Sequence, residues 1–136
     1  MTRKIRTLLV DDHALFRSGL RHILTGQPDM EVVGEAANGE DAIQAAFTLR
    51  PDVIVMDIGI PGLNGVEATR RIIQEMPKSQ ILVVSMHKDS VYVRETLRAG
   101  ARGYVLKDSI DTEFVTAVRA VARGEGSLSP AISDTV

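Results

Sequence analysis

Short, largely apolar runs that stop on a charged or hydroxyl-bearing residue recur along this chain. Residues 5–10 run into Asp11 and Asp12, 53–56 into Asp57, 81–84 into Ser85, and 103–106 into Lys107. Runs this apolar fit strands buried on both faces of a parallel sheet. Residues 31–35 supply a fifth strand candidate. Between the runs the apolar spacing changes to three or four, which predicts helices over 14–25, 39–49, 65–75, 90–99 and 110–123. In the last helix Phe114, Val115, Val118, Val121 and Ala122 share one face. Ser109 is its expected N-cap, Arg119 and Arg123 suit its final turns, and Gly124 stops it. Asn64 is the expected N-cap of the third helix.

Strict alternation of strand and helix predicts right-handed βα units around a parallel sheet. The expected architecture is α/β, a flavodoxin-like (βα)5 three-layer sandwich with strand order 2-1-3-4-5. In that order the first and third strands are neighbours, so Asp12 and Asp57 meet across the point where the winding reverses. Ligands bind in such sheets outside the carboxyl ends of the strands. Residues 125–136, with three serines, one glycine and one proline, have the composition of a linker.

Composition narrows the function. The 136 residues suffice for one domain with a core of its own, and 44% of them are hydrophobic. No apolar run is long enough to span a membrane, and no signal-like segment opens the chain, so a cytoplasmic location is expected. The lack of cysteine removes disulfide, zinc-thiolate and cysteine-nucleophile chemistry. A formal net charge of −2 leaves no electrostatic footprint for nucleic acid.

Three carboxylates, a hydroxyl and an ammonium at neighbouring strand ends suit a divalent cation and a phosphoryl group. Two like unit charges about 4 Å apart cost roughly 4 kcal/mol at an effective dielectric near 20. Either one carboxyl keeps its proton or a cation neutralises the cluster. An all-oxygen donor set suits Mg²⁺, with Mn²⁺ able to stand in. A carboxylate pair after a strand can also be a simple helix cap, and His13, His22 and His87 are read as ordinary surface residues. The Gly-rich strings at 61–65 and 123–126 match neither a Walker nor a dinucleotide motif.

The motifs Asp-Asp-His-Ala-Leu-Phe-Arg-Ser-Gly-Leu (11–20), Met-Asp-Ile-Gly-Ile-Pro-Gly-Leu-Asn-Gly (56–65), Val-Val-Ser-Met-His (83–87) and Ala-Gly-Ala-Arg-Gly-Tyr-Val-Leu-Lys-Asp (99–108) carry a resemblance. Together they resemble the receiver domains of two-component response regulators, most closely the NarL/FixJ subfamily with its LuxR-type helix-turn-helix output. The resemblance implies a receiver over 1–124. The tail at 125–136 would lead toward a C-terminal DNA-binding domain outside these residues. Asp57 would be the phosphoacceptor for a sensor histidine kinase, and Asp11, Asp12, Asp57 and the Gly59 carbonyl would hold Mg²⁺. Lys107 and Ser85 would engage the phosphoryl oxygens. Ser85 and Tyr104 would move together as the switch, Tyr104 swinging inward.

The resemblance further implies a phosphoacceptor module that assists its own phosphotransfer and dephosphorylation, not an enzyme with a separate substrate. It implies a homodimer on phosphorylation, DNA contact only through the output domain, and no membrane partner. Phe16, Arg17, Asp108 and Ser109 are the candidates for kinase recognition. Gly59 stands where the subfamily often has a polar residue, and Ile60 where Met is frequent. Asp108 replaces a common Pro, which counts against a cis peptide there because a non-proline cis bond costs about 2.5–4 kcal/mol. Two alternatives stand beside this reading. One is a pseudo-receiver that serves only as a protein-binding surface. The other is a phosphatase of the haloacid-dehalogenase type, which needs a second Asp where Gly59 stands.

Overall fold

The computed structural model describes residues 3–59, 64–86 and 89–129. The apolar runs become β1 (Ile5–Val10), β2 (Met30–Ala36), β3 (Val53–Met56), β4 (Gln80–Ser85) and β5 (Gly103–Leu106). Between and after them lie α1 (Ala14–Thr25), α2 (Gly39–Leu49), α3 (Gly65–Glu75), α4 (Ser90–Arg98) and α5 (Ile110–Ala122). Every strand pairing is parallel, and the order is the expected 2-1-3-4-5. His87, Ile60 and most of the predicted turn before Asn64 lie outside the described residues.

A sixth strand, β6 (Ser127–Leu128), adds to the free edge of β5. It falls in the stretch that composition reads as linker, and it carries ordered backbone past residue 124. Two side-chain bonds clip its end. Ser129 is buried; its Oγ accepts the Leu106 N–H at 3.2 Å and donates to Glu113 on α5. The Ser129 N–H bonds the Tyr104 carbonyl at 3.0 Å. Ser129→Ala leaves the buried Leu106 N–H without its side-chain acceptor. It is expected to lower stability by about 1 kcal/mol, read as a shift of the urea midpoint at unchanged slope.

Strand geometry divides the core in two. Alternate side chains point to opposite faces, so Leu8 and Val10 join Ile54, Met56, Ile81 and Val83 under α2, α3 and α4. Leu9, Val53, Val55, Leu82, Val84 and Val105 pack with Leu20 and Leu24 of α1 and Phe114, Val118 and Val121 of α5 on the other face. The result is the three-layer sandwich.

Helix ends follow the expected chemistry in part. Asn64 caps α3, its Oδ1 accepting the Glu67 N–H at 2.9 Å, and Asn38 and Asp89 do the same work for α2 and α4. Gly124 ends α5 with φ of +80°, a conformation that only glycine adopts at low cost. Ser109 makes no capping bond, because a 3-10 turn over Lys107–Ser109 feeds directly into α5. Arg119 leaves the helix end and instead grips Asp29, before β2, through bonds of 2.9 and 3.1 Å. That hydrogen bond holds the Asp29 carboxyl below its ordinary value. No helix among the described residues is long and apolar enough to cross a membrane.

Candidate functional site

The sheet ladder itself carries the acidic groups together. Beyond β1, the Asp11 N–H bonds the Ala36 carbonyl at 3.0 Å; beyond β3, the Asp57 N–H bonds the Val10 carbonyl at 2.9 Å. Both backbones are therefore fixed as extensions of adjacent strands. Ser85 is the last residue of β4 and pairs in register with Leu106, the residue before Lys107. Four strand ends thus deliver Asp11, Asp57, Ser85 and Lys107 to one edge.

Lys107 is the hub. Its Nζ lies 3.1 Å from Asp11 Oδ2 and 3.3 Å from Asp57 Oδ2. Burial alone would lower the Lys107 pKa. The hydrogen bond to Asp11 and the charges of Asp57 and Asp11 outweigh it, so the ammonium titrates above the ordinary lysine value. It remains a cation at neutral pH. Asp11 and Asp57 are buried, whereas the Asp12 side chain is one-third exposed at 33%. The second oxygen of Asp57 accepts the Gly59 N–H at 3.0 Å, which fixes the carboxylate plane.

Ligand atoms of Asp11, Asp12, His13 and Asp57 all lie within 4.8 Å of one another. This acidic cluster could hold a metal ion, and carboxylate oxygens are the donors that a hard divalent cation takes. Read from sequence as an ordinary loop residue, His13 belongs to the cluster by position: its Nδ1 is 3.3 Å from Asp11 and 3.2 Å from Asp12. Its ring is largely exposed at 70%. Neither Asp11 nor Asp12 caps α1; the cap position is His13, with no side-chain bond. The simple-cap reading of the acidic pair does not hold.

Tyr104 is fully buried against the α2–α4 face of the sheet. Its hydroxyl shares a hydrogen bond with Ser85, while burial and the charge of Asp57 push the phenol above its usual pKa. Of the four kinase-recognition candidates, Asp108 is exposed and Ser109 is half-buried beside it. Arg17 is committed within the domain, its Nε bonding Glu35 at 2.7 Å and its Nη1 the Asp11 carbonyl. Phe16 lies under Lys107, with 4.4 Å between Nζ and the ring centroid. Nothing in the local spacing links residues 16 and 107, so sequence reading could not pair them.

The comparison with known proteins decides the family. A model of the response regulator receiver domain matches residues 7–119. The chain belongs to that family. This receiver domain is 43% identical over 130 residues to the transcriptional regulatory protein DegU of Brevibacillus brevis, covering 96% of this chain and 55% of that protein. It is 41% identical to LiaR of Bacillus subtilis (strain 168), covering 97% of this chain and 63% of LiaR. The receiver domain therefore spans little more than half the length of the curated relatives it matches. Among solved structures, a LuxR-family response regulator from Aurantimonas sp. SI85-9A1 superposes with a TM-score of 0.93 at 39% identity, covering 97% of this chain and 94% of that one. The response regulator domain of Thermotoga maritima CheB gives 0.83 at 36% identity, covering 89% and 98%. DegU and LiaR are of the NarL/FixJ type that the motifs suggest.

Proposed function

We propose that Asp57 is the phosphoacceptor of this receiver and that a sensor histidine kinase is its donor. The observation that carries this reading is the Lys107 ammonium set between Asp11 and Asp57 at 3.1 and 3.3 Å. Asp57 Oδ attacks phosphorus, a P–O bond forms, and the P–N bond to the donor imidazole breaks. Negative charge then moves outward from the carboxylate onto the phosphoryl oxygens. Lys107, already charged and held over the same oxygen, follows it by a small displacement. A preset cation of this kind stabilises transferred charge with little reorganisation cost.

Mg²⁺, held by Asp11, Asp12, Asp57 and the Gly59 carbonyl, would offset the charge of the incoming phosphoryl group, with Mn²⁺ able to replace it. Asp11 is anchored for that task by the His13 N–H at 2.8 Å and by Lys107. Ser85 Oγ would hydrogen-bond a phosphoryl oxygen after transfer. Its bond to Tyr104 would then be exchanged or tightened, and that change would reach the α4–β5–α5 face. Such a step couples a local charge change to a bistable element.

In this reading the output is transcriptional control by a C-terminal DNA-binding domain beyond residue 136, with phosphorylation favouring a homodimer in the cytoplasm. The domain promotes its own phosphotransfer and dephosphorylation and acts on no separate substrate. Exposed Asp108 with Ser109, and the apolar groove of Leu15, Phe16, Ile23, Met86 and Ile110, would meet the kinase. The test is intact-protein mass after incubation with acetyl phosphate or phosphoramidate, with and without Mg²⁺. A Mg²⁺-dependent gain of one phosphoryl group is expected; no gain from either donor would count against the reading.

A further inference from the structure

Lys107 has two carboxylates on one side and an aromatic face on the other. We propose that Phe16 is a positioning residue for Lys107, an inference that rests on the phosphoacceptor reading above. Phe16 sits in the first turn of α1, half-buried, and packs against the core layer under α1 and α5. Its ring centroid is 4.4 Å from Nζ, inside the range where the negative face of an aromatic ring attracts a cation. The Lys107 side chain is 12% exposed, so the ring stands where water would otherwise hydrate the ammonium.

The chemistry of the ring matters as much as its bulk. An ammonium has three N–H donors and no acceptor. Two of its directions are taken by Asp11 and Asp57. A carboxylate or carbonyl on the third side would pull the cation away from the site, and open solvent would let the flexible lysine stem swing out. An aromatic face attracts the charge, takes no proton and imposes little direction. The cation can then slide from the carboxylates toward arriving phosphoryl oxygens without leaving the ring. Phe16 thus keeps a mobile charge in a narrow range of positions, acting through Lys107 and never touching the reacting atoms.

Phosphoryl uptake from acetyl phosphate, followed by intact-protein mass at saturating Mg²⁺, separates this role from simple packing. Phe16→Leu keeps an apolar side chain but loses the ring, and should slow uptake by roughly three- to tenfold. Phe16→Tyr keeps the ring and should stay within about twofold of wild type, with the Mg²⁺ dependence of the rate unchanged in both. In a Lys107→Ala background the Leu substitution should change the rate by less than about twofold, because the partner of the ring is gone. Equal slowing in both backgrounds, or no slowing in the first, would overturn the proposal. If Phe16→Leu fails to fold, trifluorophenylalanine at position 16 keeps the shape and weakens the ring's negative face. Uptake at the wild-type rate in that variant would overturn it too. Wild type that takes up no phosphoryl group would remove the phosphoacceptor reading itself, a result distinct from any difference among the Phe16 variants.

Discussion

Asp57→Asn should take up no phosphoryl group from acetyl phosphate under conditions where wild type gains one. The amide keeps the size of the side chain and its bond from the Gly59 N–H, because its carbonyl oxygen can accept in place of Asp57 Oδ1. It loses the negative charge and the nucleophilic oxygen that faces Lys107 at 3.3 Å. The expected effect is all or none, since no other described carboxylate shares both the burial and the position of Asp57. Asp11 is also buried, but it stands at the end of β1, where the reading above makes it a ligand of Mg²⁺. Thermal unfolding supplies an independent readout. Wild type should gain stability with added Mg²⁺ by the mass-action relation for a ligand that binds the folded state, and the variant should gain less. A variant that is phosphorylated as fast as wild type would move the acceptor elsewhere.

Gly65→Ala should destabilise the fold by about 2–3 kcal/mol, toward the upper part of the range for overpacking. A methyl group at that position would lie 2.4 Å from the Ile58 Cα and 2.6 Å from the Asp57 carbonyl oxygen. Both obstacles are backbone, so neither can rotate away as a side-chain tip would. The first turn of α3 is also tied to this loop, with the Gly65 N–H bonding the Ile58 carbonyl at 3.2 Å. Relief requires the helix start and the residues after Asp57 to separate. Chemical denaturation measures the stability loss, and phosphoryl uptake by the remaining folded protein measures the displacement of Asp57 from Lys107. An unchanged midpoint together with unchanged uptake would show that the loop recedes without cost.

The parts legible in sequence are those written in side-chain pattern. β1, β3 and β5 begin and end where their apolar runs do, because strands covered on both faces tolerate few polar residues. β2 and β4 extend one residue further at each end, to Met30 and Ala36 and to Gln80 and Ser85, since backbone pairing continues after the pattern stops. The clustering of Asp11, Asp12, Asp57, Ser85 and Lys107 followed from strand order and strand ends alone. What escaped depends on contacts between distant residues. β6 has two residues, too few for any periodicity, and its place is set by backbone bonds to β5. Arg119 suited a helix terminus by local rule, yet Asp29, ninety positions away in sequence, captures it. Ser109 lost its capping role to a tight turn that leaves no open helix end there. His13 and Arg17 reach Asp11, and Phe16 reaches Lys107, through the geometry of one helical turn docked on a sheet edge, which spacing does not reveal.

The clip at Ser129 also has a mechanical meaning. Because β6 lies parallel to β5, a force applied along the strand axis at residue 129 would be borne as shear across the bonds between the two strands at once. It does not peel them one by one. The bonds that carry the load end on the Tyr104 carbonyl and the Leu106 N–H. A pull at this point would therefore reach the short strand that leads into Lys107 and, through Glu113, the first turn of α5.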